Sequence, residues 1–356
     1  YKLPNAMNLV TSTDNWVTQA PTVHDLVTYR YRDGYFDGKT DKGFRCFGHV
    51  EEERLADPKV DFQEPGLKVM EYVVGVDVYH DVKQKDAWEF GPLVSKTEPL
   101  RHTTTEYSKC AVDGLTKVSP DYPVTYVCKT GETTEVSEGI AANKVTMRQE
   151  WTYDGYGNVI KESNLGVLAT TGDESYTETE FIAPGAATGD AWILNKAKRT
   201  IVYGNPANKG TTYRETLNFY DADFGGDASN AGKLTHGTVT KMQRRLKGAE
   251  YIDVMRAKLN ADGQVVEQID PNGTVADQTG HRAQFQFDGL DMTRQIMPLT
   301  DAQGAYTLER RYSYEKAFHK VSEATDLSLY VGGKLVGAEN SQKFRYDEHG
   351  RLIKAI

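Results

Sequence analysis

The chain has 356 residues, of which 38% are hydrophobic, 26% charged and 10% aromatic, a composition typical of globular proteins and not of disordered ones. The formal net charge is −9, from 42 basic and 51 acidic side chains, so a nucleic-acid phosphate backbone would be repelled. The densest positive segment, at 241–245, is better explained by alternating strand faces than by a binding patch. We therefore expect no nucleic-acid partner.

Cysteine content and hydropathy place further bounds on the protein. Cys46, Cys110 and Cys128 are too few and too widely spaced to predict a disulfide framework or a zinc site. A Cys110–Cys128 bridge would close a hairpin-sized loop, but we favour free buried thiols. No apolar stretch is long enough to span a membrane and no signal peptide is recognisable. Because the first residue is Tyr1 and not Met, we expect the chain to be a segment of a longer protein.

Alternation of apolar and polar residues predicts β-strands along the whole chain. In segment 68–80, Met70, Tyr72 and Val74 share one face, and similar patterns recur at 146–153, 199–203, 211–220, 282–287 and 307–314. Such strands should bury one face and expose the other. Segment 84–90 is too short for a helix, and 188–198 has room for one helical turn. Segments 131–142 and 166–190, rich in small and polar residues, are predicted to be surface loops.

Tight-turn signals separate these strands. Asp-Gly occurs at 33–34, 113–114, 154–155, 262–263 and 288–289, and Asn-Gly at 272–273. These dipeptides supply the positive φ angles that two-residue hairpins require. Many short strands joined in this way predict an all-β fold of antiparallel β-hairpin repeats.

One motif is repeated. Tyr153-Asp154 is followed by Gly157, a polar residue, two apolar residues and Lys, and Tyr346-Asp347 is followed in the same order from Gly350. Degenerate copies occur at 260–267 and 287–292, and another opens with Tyr220-Asp221 and is stretched by an insertion before Gly232-Lys233-Leu234. In each unit the Asp can bind backbone amides across the turn, while Gly supplies the left-handed residue. Because one hairpin is marginal, the units must stack in a long sheet.

These repeats resemble the YD-repeat (Rhs) family, whose tandem hairpins form a large hollow β-shell. A second motif is similar to a stretch in toxin-complex B components and SpvB-like virulence proteins, where the chain leaves a β-propeller and enters the shell. Its residues are Tyr29, Tyr31, Asp33, Gly34, Asp37, Phe44, Phe47 and Gly48. The sequence departs from that family in having Cys46 where Gly is usual, and Thr40-Asp41-Lys42 in place of an acidic-basic-acidic run.

The resemblance implies a structural, non-catalytic segment of a shell that holds a C-terminal cytotoxic domain and delivers it to a target cell. Residues 1–165 would be the region where the chain enters the shell, 166–190 a loop or insertion, and 191–356 YD-repeat strands. The implied partners are the rest of the shell, the enclosed toxin domain and a delivery or translocation component, and the implied location is secreted or cell-surface. The alternatives are a teneurin-like cell-surface adhesion or scaffold protein and, less well supported, a carbohydrate-active enzyme.

Candidate chemistry in the sequence is sparse. Asp221, Asp223 and Asp227 form a weak calcium candidate and Asp33, Asp37 and Asp41 a second, but carboxylates in loops more often cap turns. No nucleophile elbow, phosphate-binding loop or dinucleotide fingerprint is recognisable. We therefore expect no cofactor, no resident metal and no catalysis within these residues. Trp151, Tyr153 and Tyr156 are better explained by strand packing than by a sugar-stacking platform.

Overall fold

The structure is a computed structural model. It describes residues 8–17, 20–37, 43–55, 66–75, 81–91, 99–111, 125–138, 140–183, 192–204, 212–225, 234–276, 280–302 and 304–356. The chain forms two compact units, one comprising Tyr1–Thr179 and Ile201–Tyr213 and the other Glu180–Thr200 and Arg214–Ile356. The predicted functional roles of residues 1–165 and 191–356 stay predictions.

The described part of the first unit contains a run of antiparallel strands. They are β1 (Ser12–Val17), β2 (Ala20–Phe36), β3 (Phe44–Leu55), β4 (Gly66–Gly75), β5 (Asp81–Phe90), β6 (Arg101–Ala111), β7 (Thr125–Val136), β8 (Val145–Tyr153) and β9 (Val159–Val167). Each strand pairs with the next along the chain. The result is the antiparallel meander that the sequence predicts.

The boundary between the two units passes through three strands, and the second unit continues the same construction. The three are β10 (Ser175–Phe181), β11 (Ala197–Tyr203) and β12 (Thr212–Tyr220). The remaining strands are β13 (Val239–Lys247), β14 (Glu250–Leu259), β15 (Val265–Ile269), β16 (Arg282–Asp288), β17 (Asp291–Asp301), β18 (Gly304–Glu315), β19 (Lys320–Thr325), β20 (Ser328–Val331), β21 (Lys334–Val336), β22 (Ser341–Tyr346) and β23 (Leu352–Ala355).

Sequential pairing holds from β12 to β18 and then branches. The first half of β18 pairs with β20 and the second half with β19. Strand β20 pairs with β21, β19 pairs with β22, and β22 pairs with β23. The described residues otherwise contain single 3-10 turns, at Ala141–Asn143 and Asp223–Gly225, and no helix long and apolar enough to cross a membrane.

Both predicted loops were partly wrong. Segment 131–142 begins inside β7, because its residues continue the ladder with β6 and β8 to Val136. Segment 166–190 contains β10, which pairs with β9. Thr and Glu dominate both strands, and a composition that favours loops also suits a pleated surface that is only half covered. Segment 84–90 is part of β5, and the described residues of 188–198 form no helical turn.

The predicted alternation between a buried and an exposed face holds in only some strands: in β4, Met70, Tyr72 and Val74 are half-buried while residues 71 and 73 are exposed. Residues 44–53 of β3 are half-buried without interruption, and β9 is half-buried except at its centre. The described buried side chains include about as many polar as apolar residues. A hydrophobic cluster lies in the second unit, where Ile182, Tyr220 and Leu234 are buried against Ile193 and Val239. In β3 and β9, neighbouring side chains within the sheet therefore shield one another on both faces.

Candidate functional site

The aspartate of the repeat organises its own turn. Asp154 Oδ1 accepts hydrogen bonds from the backbone N–H groups of Tyr156 and Asn158, both at 2.9 Å, and Oδ2 accepts one from Asn158 Nδ2 at 2.9 Å. The backbone closes the loop, because Asp154 N donates to Asn158 O at 2.9 Å. Gly157 has φ +87°, a conformation that glycine adopts without strain. We call this arrangement the aspartate turn.

The last repeat and one degenerate repeat form the same turn. Asp347 Oδ1 accepts from the amides of His349 and Arg351, both at 2.9 Å, and Gly350 has φ +72°. Asn260 takes the place of the aspartate in the degenerate copy, since its Oδ1 accepts from the amides of residues 262 and 264 at 3.0 and 2.9 Å. An amide oxygen has the same acceptor geometry as a carboxylate oxygen, so the turn survives this exchange.

The stretched repeat at Tyr220 has a larger version of the turn. Asp221 Oδ2 accepts from the amides of Thr235, His236 and Gly237 at 2.7, 3.2 and 3.0 Å, and Oδ1 accepts from Thr238 at 2.9 Å. Burial opposes ionisation of this carboxyl, but the four backbone bonds outweigh it and lower its pKa.

The structure describes the end of the stretched repeat from Leu234 onwards. The left-handed glycine before the returning strand is Gly237, with φ +69°, and β13 starts at Val239. Gly232 and Lys233 lie outside the described residues, while Leu234 belongs to the buried cluster. The degenerate copy at 287–292 lacks the aspartate turn, because Asp288 and Asp291 face each other across a two-residue hairpin.

In the three repeats that begin with Tyr-Asp, the tyrosine hydroxyl bonds to a main-chain oxygen of a neighbouring segment. Tyr153 donates to Lys129 O at 2.7 Å, and Tyr346 donates to Val321 O at 2.8 Å. Tyr220 donates to the main-chain oxygen of Ala197 at 2.8 Å, and burial raises the pKa of Tyr220 to about 12, so its hydroxyl stays a donor at neutral pH. We call this contact the tyrosine bridge.

The tyrosine bridge occupies a fixed place relative to the strand ladder. The ladder between β7 and β8 ends at the pair Gly131–Glu150, and the bridge joins residue 129, two positions before it, to residue 153, three positions after it. The β19–β22 ladder ends at Glu323–Lys343, and its bridge joins 321 to 346 with the same offsets. The hydroxyl thus satisfies a carbonyl where two strands stop pairing, as a buried backbone acceptor requires.

The same offsets identify two further bridges. Tyr31, in the N-terminal motif, donates to Val10 O at 3.0 Å beside the terminal pair Ser12–Thr28. Tyr314 donates to Met292 O at 3.0 Å beside the terminal pair Arg294–Arg311.

The unit that begins at Tyr314 was missed in the sequence. Glu315 replaces the aspartate and accepts from the amide of Phe318 at 3.0 Å, while His319, at φ +52°, replaces the glycine. Seven positions separate Tyr314 from the apolar Val321, one more than separate Tyr153 from Val159, so the repeat spacing does not reveal this unit in the sequence.

The N-terminal motif lies in the β2–β3 hairpin. Tyr31, Phe44 and Phe47 form an aromatic cluster in which the ring of Phe47 lies 5.0 Å from each of the other two. Gly48 is required by close approach, since a Cβ there would lie 3.1 Å from Asp33 Cβ. The backbone amide of Tyr29 donates a hydrogen bond to the main-chain oxygen of Thr11. Gly34 is buried and pairs with Phe47 in the β2–β3 ladder. Asp37 is also buried, and its amide donates to the main-chain oxygen of Gly43. This motif therefore joins β1, β2 and β3.

Two buried glutamates are each held by a pair of arginines. Glu309 in β18 is 3% exposed and accepts from Arg294 Nε at 2.7 Å and from Arg311 Nη2 at 3.3 Å. Glu215 in β12 is equally buried and accepts from Arg199 at 2.7 Å and Arg245 at 3.4 Å. Burial opposes the charge of each glutamate, yet the arginine hydrogen bonds outweigh it and lower the pKa of each. These arginine pairs tie strands together across the sheet.

The predicted metal candidates do not converge in the described part of the chain, where no cluster of three or more His, Cys, Asp or Glu side chains could hold a metal ion. Asp221 is committed to the turn, and Asp223 lies beside the amide of Leu259 at 3.3 Å. Asp227 and Asp41 fall outside the described residues.

The preference for three free thiols was wrong. Cys110 and Cys128 form a disulfide, and Cys46 is free. The two bonded cysteines lie diagonally on adjacent strands, a register that their spacing in the sequence does not reveal.

Comparison with known proteins gives a likeness of fold. No protein-family model and no curated protein sequence matches the chain. The crystal structures of TcdB2-TccC3-TEV and TcdB2-TccC3 superpose on 93% of the chain with TM-scores of 0.60 and 0.59, at 12% and 13% sequence identity. The chain has the fold of a stretch of TcdB2-TccC3. It spans 21% and 22% of those two chains, about a fifth of their length.

Proposed function

We propose that the chain is a stretch of the wall of a hollow YD-repeat shell, which holds a C-terminal cytotoxic domain and delivers it to a target cell. The fold shared with TcdB2-TccC3 over 93% of the chain carries this proposal. The YD-repeat signature seen in the sequence agrees with that likeness, since Tyr153, Tyr220 and Tyr346 all form bridges and the Asp that follows each one forms a turn.

The construction of the strands supports a structural role. A wall one sheet thick cannot rely on a deep apolar core, so its strands must be tied by contacts within the sheet. The tyrosine bridges and the arginine-held glutamates are contacts of this kind, and they recur from β2 to β22. In this proposal the wall acts without catalysis, as part of a secreted or cell-surface protein whose partners are the rest of the shell, the enclosed domain and a delivery component.

The test is limited proteolysis of the full-length parent protein under native conditions, read by intact mass. The proposal predicts a C-terminal fragment that stays protected and becomes digestible only after the shell is denatured. A tail that is digested at once while the β-rich body survives would exclude enclosure and favour the teneurin-like scaffold.

A further inference from the structure

The outer ends of β6 and β7 form a two-stranded ribbon. Ladder pairs between β5 and β6 cover residues 101–106 of β6, and those between β7 and β8 cover residues 131–136 of β7. Beyond them, residues 107–111 pair with residues 125–129 and, among the described ladders, with no third strand. We call residues 107–111 and 125–130 the ribbon. A two-stranded segment is marginally stable in water by itself, so the contacts that hold the ribbon decide whether it stays closed.

The disulfide is the covalent tie within this ribbon. Cys110 faces Tyr126 in the ladder and Ser108 faces Cys128, so the two cysteines occupy diagonal positions on one face with Cα atoms 6.0 Å apart. On the side towards β8, the ribbon is held by the Tyr153 bridge to Lys129 O and by an edge contact between the rings of Tyr126 and Tyr153.

The two bonded cysteines differ in exposure. Cys128 is 3% exposed, whereas Cys110 is half-buried and lines an open pocket of about 360 Å³ with Thr130, Trp151, Thr152, Tyr153, Asp154 and Gly155. A small thiol can therefore approach the bond from the Cys110 side. Thiol–disulfide exchange requires such access, because the attacking thiolate must reach one sulfur of the bond.

We propose that Cys110–Cys128 is an exchange site for small dithiols, and that its reduction opens the ribbon over the Trp151 pocket. One thiolate of the dithiol attacks Cys110 Sγ, the S–S bond breaks, and Cys128 leaves as a thiolate that takes up a proton. The second thiol of the reductant then attacks the mixed disulfide, which releases Cys110 as a thiol and the reductant as a cyclic disulfide. Two electrons pass from the dithiol to the chain.

Opening follows from the loss of the closed loop. The bond joins residues 18 apart, and a loop of that size restricts the open state enough to change the opening equilibrium on the order of 100-fold. The exchange site depends on the described strands alone and stands whether or not the wall encloses a toxin.

The experiment uses the whole chain as a Cys46→Ser variant, with dithiothreitol as the dithiol. Native alkylation followed by intact mass counts the thiols, and hydrogen exchange measured on peptides reports ribbon opening. We expect no alkylation before dithiothreitol and two alkylated cysteines after it. Ribbon amides should then exchange on the order of 100-fold faster, while amides of residues 101–106 and of the β13–β14 ladder keep their rates. A Cys110→Ser/Cys128→Ser variant on the same background should show fast ribbon exchange with or without dithiothreitol.

Four results would overturn the proposal. They are alkylation of Cys110 and Cys128 without reductant, a bond that resists dithiothreitol in the native chain, reduction that leaves ribbon exchange unchanged, and reduction that accelerates exchange throughout the chain.

Discussion

Removal of the Asp221 carboxylate should cost more stability than a change at any exposed acid nearby. The carboxylate accepts four backbone N–H groups, from residues 235 to 238. A hydrogen bond to a charged acceptor contributes about 1.5–3 kcal/mol, but bonds to one group are not additive and water replaces part of them. Ala at the φ of +63° found at Asp221 adds about 1 kcal/mol of strain. We therefore expect Asp221→Ala to lower the free energy of unfolding by about 3–4 kcal/mol.

Two comparison variants separate the contributions. Asp221→Asn keeps one acceptor oxygen and a residue that tolerates positive φ, so it should cost about 1–2 kcal/mol. Asp223→Ala removes a neighbouring carboxylate that is 52% exposed, and we expect a loss of less than about 0.5 kcal/mol. Urea unfolding at pH 7, followed by circular dichroism, measures all three. Equal stabilities of the Asp221→Ala and Asp223→Ala variants would refute the role assigned to the turn.

The pH dependence of the same variants gives an independent check. Since the folded pKa of Asp221 is lowered, its contribution is complete above the unfolded pKa of about 3.9 and is lost as the pH falls through the folded pKa. The stability difference between the native sequence and Asp221→Ala should therefore be largest at neutral pH and shrink below about pH 4. A difference that grows on acidification would contradict this assignment.

Three further predictions concern the bridge, a buried glutamate and the N-terminal motif. Tyr346→Phe should lower the free energy of unfolding in urea by about 1 kcal/mol, because it leaves a main-chain carbonyl without its hydrogen bond. The control Tyr306→Phe should be nearly neutral, and equal losses in the two variants would exclude the bridge. Glu309→Gln should lose about 3 kcal/mol at pH 7, with the difference fading as the pH falls below about 4.3, and a pH-independent loss would contradict the ion pairing. Gly48→Ala should lower the thermal midpoint through a contact of 3.1 Å with Asp33 Cβ, and an unchanged midpoint would show that the hairpin adapts.

The repeats were predictable where the chemistry of the turn is written in adjacent residues. Asp154 and Asp347 form the expected turns, because the acceptor, the left-handed glycine and the returning apolar pair are all local in sequence. The unit at Tyr314 was not predicted because Glu and His take the places of Asp and Gly, and because its turn is one residue longer than those of Asp154 and Asp347.

Features that depend on pairing between strands were not predictable. The Cys110–Cys128 bond requires the diagonal register of β6 and β7, which a bulge after Glu106 helps to set. The half-burial of both faces of β3 could not be predicted from the sequence either. The alternation of apolar and polar residues is the same whether the apolar face packs against a second layer or only against neighbouring strands of the sheet. Burial of Glu309 follows from the arginines that flank it in the sheet.

A cryo-electron microscopy map of the full-length parent protein tests the shell proposal most directly. The proposal predicts that β1–β23 form a continuous stretch of a closed β-wall, with polypeptide density on its inner side. A map in which these strands are open to solvent on both faces, with the C-terminal domain ordered outside them, would contradict it.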